Sequence, residues 1–424
     1  MDHPISSETA GGIPSGPARR PRGARPAAAL LAAVLLAGCG GPGGTPDEPA
    51  TTITELDYYT DEQGSAAWDE ILATCEERTG ITIERQSIPP DQMLQQVLQQ
   101  VGSRSLPDLL FIDNPQLQQI AETGALTPLG GYGIDTDGYF PSIVEAGTHD
   151  GELYGLAPGV NGLALFYDRT LFDEAGIEPP TTWEELRAAA IELSTEDRYG
   201  LAFSAIPAEE GTWQFLPFFW SNGAELADLD SPEAVGALEY VSGLVADGAV
   251  SASVLEWNQN DVADQFVSGN AAMMVNGSWN LARLREEPGL DYGVVPIPVP
   301  EEGADPVVAL GGEVAAIPAT GAGTQQAAAR VLDCLLADDV MTSWSAGHAY
   351  VPAREDAAAR LAEDDPEMAP FAAQVATARS RTADLGGGYP PVSAALIDAV
   401  QSALTGDVSP AEALRAAQRA AEES

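Results

Sequence analysis

The sequence predicts an α/β protein built on open, largely parallel sheets. Short apolar segments of strand length alternate with segments whose apolar residues recur every three or four positions. A strand, helix, strand, helix, strand order is typical of a parallel sheet covered by helices on both faces. With 424 residues the chain is long enough for two lobes, each with its own core.

The elements follow from the periodicity in chain order. Predicted strands cover 53–59, 81–85, 108–112, 163–167, 271–275 and 307–317, with an extended segment at 292–299. Predicted helices cover 68–79, 94–101, 117–124, 215–219, 235–245 and 326–336, and the chain from 366 onward is mostly helical.

The segment 151–186 shows the local signals most clearly. The apolar strand 163–167 is followed by a short helix that should stop at Gly176, where a left-handed C-cap suits glycine. Thr182 and Glu185 form a capping box that opens a further helix. The apolar residues of that helix recur on one face, which predicts packing against a sheet.

The amino terminus predicts export. An arginine-rich stretch precedes the uncharged segment 27–37, which is too short to span a membrane, and small residues lead to Cys39. The Leu-Ala-Gly-Cys ending resembles a bacterial lipobox, so residues 1–38 are interpreted as a signal peptide and Cys39 as the lipidated residue. Residues 39–50, rich in glycine, would be a flexible tether. The alternative is an uncleaved membrane anchor with an incidental cysteine.

The charge of the chain excludes several partners. The formal net charge is −45, and all 19 basic residues are arginine. Such a surface repels nucleic acid phosphates and anionic headgroups, so nucleic acid is not expected as a partner.

Several phrases of the sequence resemble one family. They are "LFYDRTLFDEAGIEPPTTWEEL" (165–186), "FVSGNAAMMVNGSWNL" (266–281), "YGVVPIPVP" (292–300), "GGEVAAIPAT" (311–320) and "VPAR" (351–354). Together they resemble the extracellular solute-binding proteins of sugar-importing ABC transporters, of the maltose-binding type. The resemblance implies a two-lobed, type II periplasmic-binding-protein fold with a hinged cleft. It implies lobe one at 51–160 and 308–348, lobe two at 161–302 and 350–424, and crossings near 159–162, 301–308 and 347–352.

The remaining cysteines are Cys75 and Cys334, each on a predicted helix of lobe one. An exported protein permits a disulfide between them, and two buried thiols are the alternative. The spacing in sequence leaves both readings open.

The candidate ligand-binding residues lie at strand ends, at the crossings and on aromatic positions. Ligands of open α/β sheets bind beyond the carboxyl ends of the strands. Sugars offer hydroxyl edges for amides, carboxylates and arginine, and C–H faces for aromatic rings. By resemblance, Trp279 is the stacking tryptophan, Asn161 a hydrogen-bonding position and Gly312 part of a loop that approaches the ligand. The full set is Tyr58, Tyr59, Asp61, Asp113, Asn161, Trp220, Trp257, Trp279, Gly312, Glu313, Arg354 and Tyr389.

Some of these residues have alternative roles. Asp113 could cap the following helix, Glu313 and Arg354 could pair with each other, and Trp213 could belong to the pocket or to the core.

No catalytic motif is present. The sequence contains no HExxH, GxSxG or Walker motif, and a metal site or cofactor is not expected. The sequence therefore predicts a monomeric, lipid-anchored, non-enzymatic receptor outside the cytoplasm, which binds a sugar or oligosaccharide and delivers it to a membrane permease. The alternatives are a binder of polyamines or other cationic solutes, and a secreted glycoside hydrolase with a carboxylate pair.

Overall fold

The computed structural model describes residues 49–60 and 62–423, so the predicted signal peptide, Cys39 and Asp61 lie outside the described residues. Its strands are β1 (Thr52–Asp57), β2 (Thr82–Ser87), β3 (Leu109–Asp113), β4 (Thr148–His149), β5 (Glu152–Leu153), β6 (Gly155–Leu156), β7 (Gly159–Val160), β8 (Leu163–Asp168), β9 (Tyr199–Ala202), β10 (Ala271–Gly277), β11 (Tyr292–Val295), β12 (Glu313–Ala316) and β13 (Val351–Pro352).

The α-helices are α1 (Glu62–Thr79), α2 (Pro90–Ser103), α3 (Gln116–Glu122), α4 (Pro141–Ala146), α5 (Arg169–Ala175), α6 (Trp183–Leu193), α7 (Glu209–Ser221), α8 (Pro232–Ala246), α9 (Gln259–Val267), α10 (Asn280–Glu286), α11 (Ala322–Leu335), α12 (Asp338–His348), α13 (Glu355–Asp364), α14 (Ala369–Val375), α15 (Tyr389–Leu404) and α16 (Pro410–Glu422). Short 3₁₀ turns occur at Leu129–Tyr132, Ala252–Leu255 and Gly386–Gly388. None of the helices in the described part of the chain is both long enough and apolar enough to span a bilayer.

The first sheet has the strand order β2-β1-β3-β12-β6. β1 pairs in parallel with β2 and β3, which confirms the predicted strand–helix alternation, whereas β12 runs antiparallel to β3 and β6. The start of β12 therefore lies at the same edge of the sheet as the carboxyl ends of β1 and β3.

The second sheet has the order β11-β8-β10-β9 and is mixed. β8 is antiparallel to both β10 and β11, and only β9 pairs in parallel with β10. Both faces of this sheet are buried: alternate residues of β8 belong to two different apolar clusters, one of which continues into the core of the first sheet. The nearly continuous apolar sequence of β8 and β10 follows from this double burial.

Several local predictions are confirmed. Gly176 ends α5 in the left-handed region (φ 69°), and Thr182 and Glu185 form the capping box of α6. The strand expected at 307–317 is shorter, because Gly312 (φ 98°) turns the backbone immediately before β12 begins. Cys75 of α1 and Cys334 of α11 are joined by a disulfide, with their α-carbons 5.7 Å apart.

Candidate functional site

The site is built at the edge where β1 and β3 end and β12 begins. Tyr58 and Tyr59 follow the last residue of β1, Asp113 is the last residue of β3, and Glu313 is the first of β12. Asp113 and Glu313 are direct cross-strand partners. Four of the predicted residues are thus brought together by strand direction alone.

Glu313 is the centre of a cluster of hydroxyl groups. The Tyr59 hydroxyl donates to Oε2 at 2.6 Å, the Tyr350 hydroxyl to Oε1 at 3.2 Å, and the Tyr58 hydroxyl also donates to Oε1. We call Glu313 with these three residues the tyrosine cluster. The Glu313 side chain is deeply buried, so its charge is stabilised almost entirely by neutral donors.

Burial dominates the acid–base behaviour of this cluster. It raises the pKa of Glu313 to about 7, although the Tyr58 and Tyr59 hydroxyls oppose the shift. Burial and the Glu313 carboxylate together raise the pKa of each of the three tyrosines well above its usual value. The tyrosines therefore remain protonated donors, while Glu313 changes its charge near neutral pH.

The loop before β12 approaches Asn161 closely. The backbones of Asn161 and Gly311 pair as an isolated bridge, and the Asn161 side chain opposes the rise in the pKa of the nearby Tyr350 hydroxyl. A Cβ atom at Gly311 would lie 2.0 Å from Asn161 Oδ1 and 2.5 Å from the Trp213 ring. Glycine is required at 311 because no side chain fits between these two groups.

A second group of charges lies beside the tyrosine cluster. Arg381 bonds both oxygens of Asp113, at 2.6 and 3.2 Å, and Oε1 of Glu209 at 2.8 Å. Tyr389 and Ser393, both on α15, also donate their hydroxyls to Glu209. We call Asp113, Arg381 and Glu209 the arginine bridge. It joins the end of β3 to the first residue of α7, whose buried face belongs to the core cluster on one side of the second sheet.

The charges of the arginine bridge are coupled. Burial lowers the pKa of Arg381, but the neighbouring Asp113 and Glu209 carboxylates raise it by more, so the guanidinium stays charged. Burial raises the pKa of Glu209, and Arg381 and the two hydroxyls oppose that shift. Asp113 thus pairs with Arg381 instead of capping α3, which has no side-chain cap.

Two tryptophans form the aromatic part of the site. Trp213, on α7, stacks on Trp279 with ring centroids 5.8 Å apart and an interplanar angle of 22°. The Arg381 guanidinium carbon lies 5.9 Å from the centre of the Trp213 ring. Trp279 follows β10, and its ring lies so close to Gly277 that a Cβ there would be 1.9 Å from Cζ3. We call Trp213 and Trp279 the tryptophan pair; Trp279 is its partly exposed member.

Four other predicted residues have their contacts outside the tyrosine cluster and the tryptophan pair. Trp220 is buried in the core beneath Arg379. Arg354 pairs with Asp338 and lies over the Tyr139 ring, so it does not pair with Glu313. Tyr389 is buried and presents its hydroxyl, not its ring face, to the site through Glu209. Trp257 is half-buried and packs against both apolar clusters.

Sequence reasoning missed Arg381, Glu209 and Tyr350. Glu209 resembles an ordinary acidic residue in a first helical turn, and Arg381 lies in an irregular segment between α14 and α15. Tyr350 offered a signal, because it immediately precedes the crossing motif at 351–354. Within residues 49–60 and 62–423 there is no group of three or more histidine, cysteine, aspartate or glutamate side chains that could hold a metal ion.

Open α/β sheets bind ligands beyond the carboxyl ends of their strands, and the polar and aromatic groups described above lie at such an edge. A family model described as bacterial extracellular solute-binding protein matches residues 70–370, and the chain belongs to that family. The fold is the two-lobed α/β fold of these proteins.

Three relatives indicate how far the similarity extends. A binding protein of Brucella abortus is 27% identical over 316 residues, which are 72% of this chain and 76% of that protein. The cyclic α-maltosyl-1,6-maltose binding protein of Arthrobacter globiformis is 26% identical with a TM-score of 0.75, over 88% of this chain and 98% of that one. The ABC transporter solute-binding protein of Thermotoga lettingae, bound with α-D-tagatose, shares the fold with a TM-score of 0.78 at 24% identity, over 88% and 99% of the two chains.

Proposed function

We propose that this protein is a non-enzymatic receptor of an ABC importer that binds a sugar or oligosaccharide and delivers it to a membrane permease. The family and its fold support the receptor role. The names of the Arthrobacter and Thermotoga relatives support a sugar as the solute.

One observation carries the choice of a sugar: rings and hydrogen-bonding groups form a single chain of contacts. Trp279 stacks on Trp213, and Trp213 contacts Arg381 of the arginine bridge. Gly311 and Asn161 continue the chain of contacts from Trp213 to the tyrosine cluster. A pyranose needs both an aromatic face for its C–H groups and planar acceptors or donors for its hydroxyls.

The proposal includes the predicted lobes and anchor. Lobe one would comprise 51–160 and 308–348, and lobe two 161–302 and 350–424. The arginine bridge would then connect Asp113 of lobe one with Glu209 and Arg381 of lobe two. Cleavage before Cys39 and lipid attachment would hold a monomer at the outer face of the cell membrane. Mass spectrometry of the membrane fraction tests the anchor. The unmodified protein should carry lipid on Cys39 in this fraction, whereas a Cys39→Ala variant should lack lipid and be released from the membrane.

The receptor role is tested by incubating the purified protein with oligosaccharides. Stoichiometric binding by calorimetry with no new product by chromatography is expected. Turnover of the oligosaccharide would instead support a glycoside hydrolase. A thermal-shift screen against sugars, polyols and polyamines identifies the solute class.

The tryptophan pair gives the sharpest mutational test. Trp279→Ala is expected to lower affinity for the sugar found in the screen by about tenfold or more, because aromatic stacking contributes about 0.5–1.5 kcal/mol beyond area burial. Calorimetry measures the affinity, and circular dichroism checks that the fold is retained. Tyr199→Ala, at an exposed aromatic residue, is the control and should bind normally. Unchanged affinity in Trp279→Ala would remove this residue from the site.

A further inference from the structure

The two acidic side chains of the arginine bridge are more exposed than its guanidinium. The side chains of Asp113 and Glu209 are 22% and 33% exposed, whereas Arg381 between them is only 3% exposed. Asp113 and Glu209 are therefore the more accessible members of the bridge. Phosphate and carboxylate groups of a solute would be repelled at this position.

The charges of the bridge do not cancel. One guanidinium lies between two carboxyl groups, so the bridge has one more acidic than basic group, and Glu313 is a third carboxyl group nearby. Arg379, two residues before Arg381, is already paired with Glu225 and Asp384. A cation supplied by the solute would match the additional acidic group of the bridge.

Both carboxylates are within reach of one solute group. Oδ2 of Asp113 and Oε1 of Glu209 accept from the same nitrogen, Nη1 of Arg381, at 3.2 and 2.8 Å. An ammonium has several N–H donors and can bond both oxygens at once, as this nitrogen does. The Trp213 ring, which Arg381 already approaches at 5.9 Å, adds a surface that attracts cations.

A second, independent feature distinguishes an amino sugar from a simple polyamine. Nε of Arg381 is buried and, within the described part of the chain, has no hydrogen-bond partner. A buried N–H without an acceptor is costly, and an acceptor supplied by the solute would relieve that cost. A sugar hydroxyl has an oxygen that accepts, whereas a fully protonated polyamine has only donors.

We propose that the solute is a sugar that carries a protonated amine, with the ammonium bonded to Asp113 and Glu209 and a neighbouring hydroxyl oxygen accepting from Nε of Arg381. This inference rests on the proposed function and narrows it to one class of sugar. In this proposal Asp113 and Glu209 determine the specificity for the amine, and Arg381 positions these two side chains.

The test compares sugars that differ only at one substituent. Isothermal calorimetry at pH 7 is run with glucose, glucosamine, N-acetylglucosamine and glucuronate, with the matching galactose series, and with the β-1,4-linked trimers of glucose, glucosamine and N-acetylglucosamine. In at least one series the amine should bind about tenfold more tightly than its hydroxyl and N-acetyl counterparts, because charge-assisted hydrogen bonds are roughly twice as strong as neutral ones. The uronates should bind most weakly.

Two nearly isosteric variants assign the preference to the bridge. Asp113→Asn and Glu209→Gln should each reduce the ratio between amine and N-acetyl affinities toward one. Glu70→Gln removes the same charge at an exposed position on α1 and should leave the ratio unchanged. The comparison of sugars on the unmodified protein stands even where a variant does not fold.

The outcomes separate this inference from the proposed function. If a hydroxyl, N-acetyl or uronate sugar binds as tightly as its amine counterpart, the proposal of an amino sugar is wrong. The proposed function as a sugar receptor is then unaffected. If spermidine binds and no sugar does, or if nothing in the series binds, both the inference and the sugar receptor fall. A preference for the amine that persists in both bridge variants overturns the assignment to Asp113 and Glu209.

Discussion

The tyrosine cluster and the arginine bridge hold their carboxylates in different ways. Glu313 accepts from three neutral hydroxyls, whereas Asp113 and Glu209 share a charged guanidinium. The two clusters are neighbours, since Asp113 and Glu313 pair across adjacent strands. The two clusters therefore differ in their donors although they lie side by side in the fold.

The comparison shows how the type of donor affects the pKa of an acidic side chain. With neutral donors alone, burial raises the pKa of Glu313 to about 7, so this carboxyl can change charge under physiological conditions. In the bridge, the guanidinium opposes the effect of burial on Glu209. The bridge thus holds its acids against a cation, and the tyrosine cluster aligns hydroxyls in either charge state of Glu313.

The largest effect is expected from removing the cation of the bridge. Arg381→Met leaves two carboxylates facing each other and should lower the free energy of unfolding by about 3 kcal/mol. This value is at the lower end of the range for a broken buried ion pair, because both acids are partly exposed. Denaturant unfolding at pH 7 measures it. Adding Asp113→Asn and Glu209→Gln should restore most of the loss. Arg78→Met, which breaks an exposed pair with Asp339, is the control and should change little.

The next effect concerns pH and the tyrosine cluster. The pKa of Glu313 is raised from 4.5 to about 7 in the folded protein, so the folded state binds the extra proton between these values. Binding of this proton stabilises the folded state fully below pH 4.5, and the stabilisation is lost as the pH rises through 7. Glu313→Gln stays neutral and should gain up to about 3 kcal/mol relative to the unmodified protein between pH 4.5 and 8.

Parallel denaturant titrations across this range measure the difference. Glu70→Gln, at an exposed residue, should show no such pH-dependent gain. A constant difference between Glu313→Gln and the unmodified protein at all pH values would show that Glu313 does not titrate in this window.

The sequence predicted the part of the site that strand direction determines. Tyr58, Tyr59 and Asp113 follow apolar strands, and Gly312 marks a backbone turn beside Glu313, so local patterns sufficed. The nearly continuous apolar strands β8 and β10 of the second sheet were also predictable, because they are buried on both faces. These signals depend on residues close together in the chain.

The arginine bridge could not be found in this way. Arg381 is 268 positions from Asp113 and 172 from Glu209, and no periodic pattern links them. Trp220 shows the limit of such local signals: a tryptophan near an Asn-Gly turn suggested a pocket, and in the structure its ring is covered by the core and by Arg379. Burial of a ring is decided by tertiary packing, which single positions do not encode.

The smallest effects compare one hydroxyl in each cluster. Tyr59→Phe removes the donor of Glu313 Oε2 and should cost about 1–2 kcal/mol of unfolding free energy. Tyr389→Phe removes one donor from Glu209, which keeps Arg381 and Ser393, so its cost should be below about 1 kcal/mol. Because the Tyr59 hydroxyl lowers the pKa of Glu313, its loss should also shift the pH-dependent decline in stability above pH 7. Denaturant titrations of both variants at pH 6 and 8 measure these quantities. If Tyr59→Phe and Tyr389→Phe cost the same at both pH values, the guanidinium that remains on Glu209 does not compensate for a lost hydroxyl, and the distinction between the two clusters would fail.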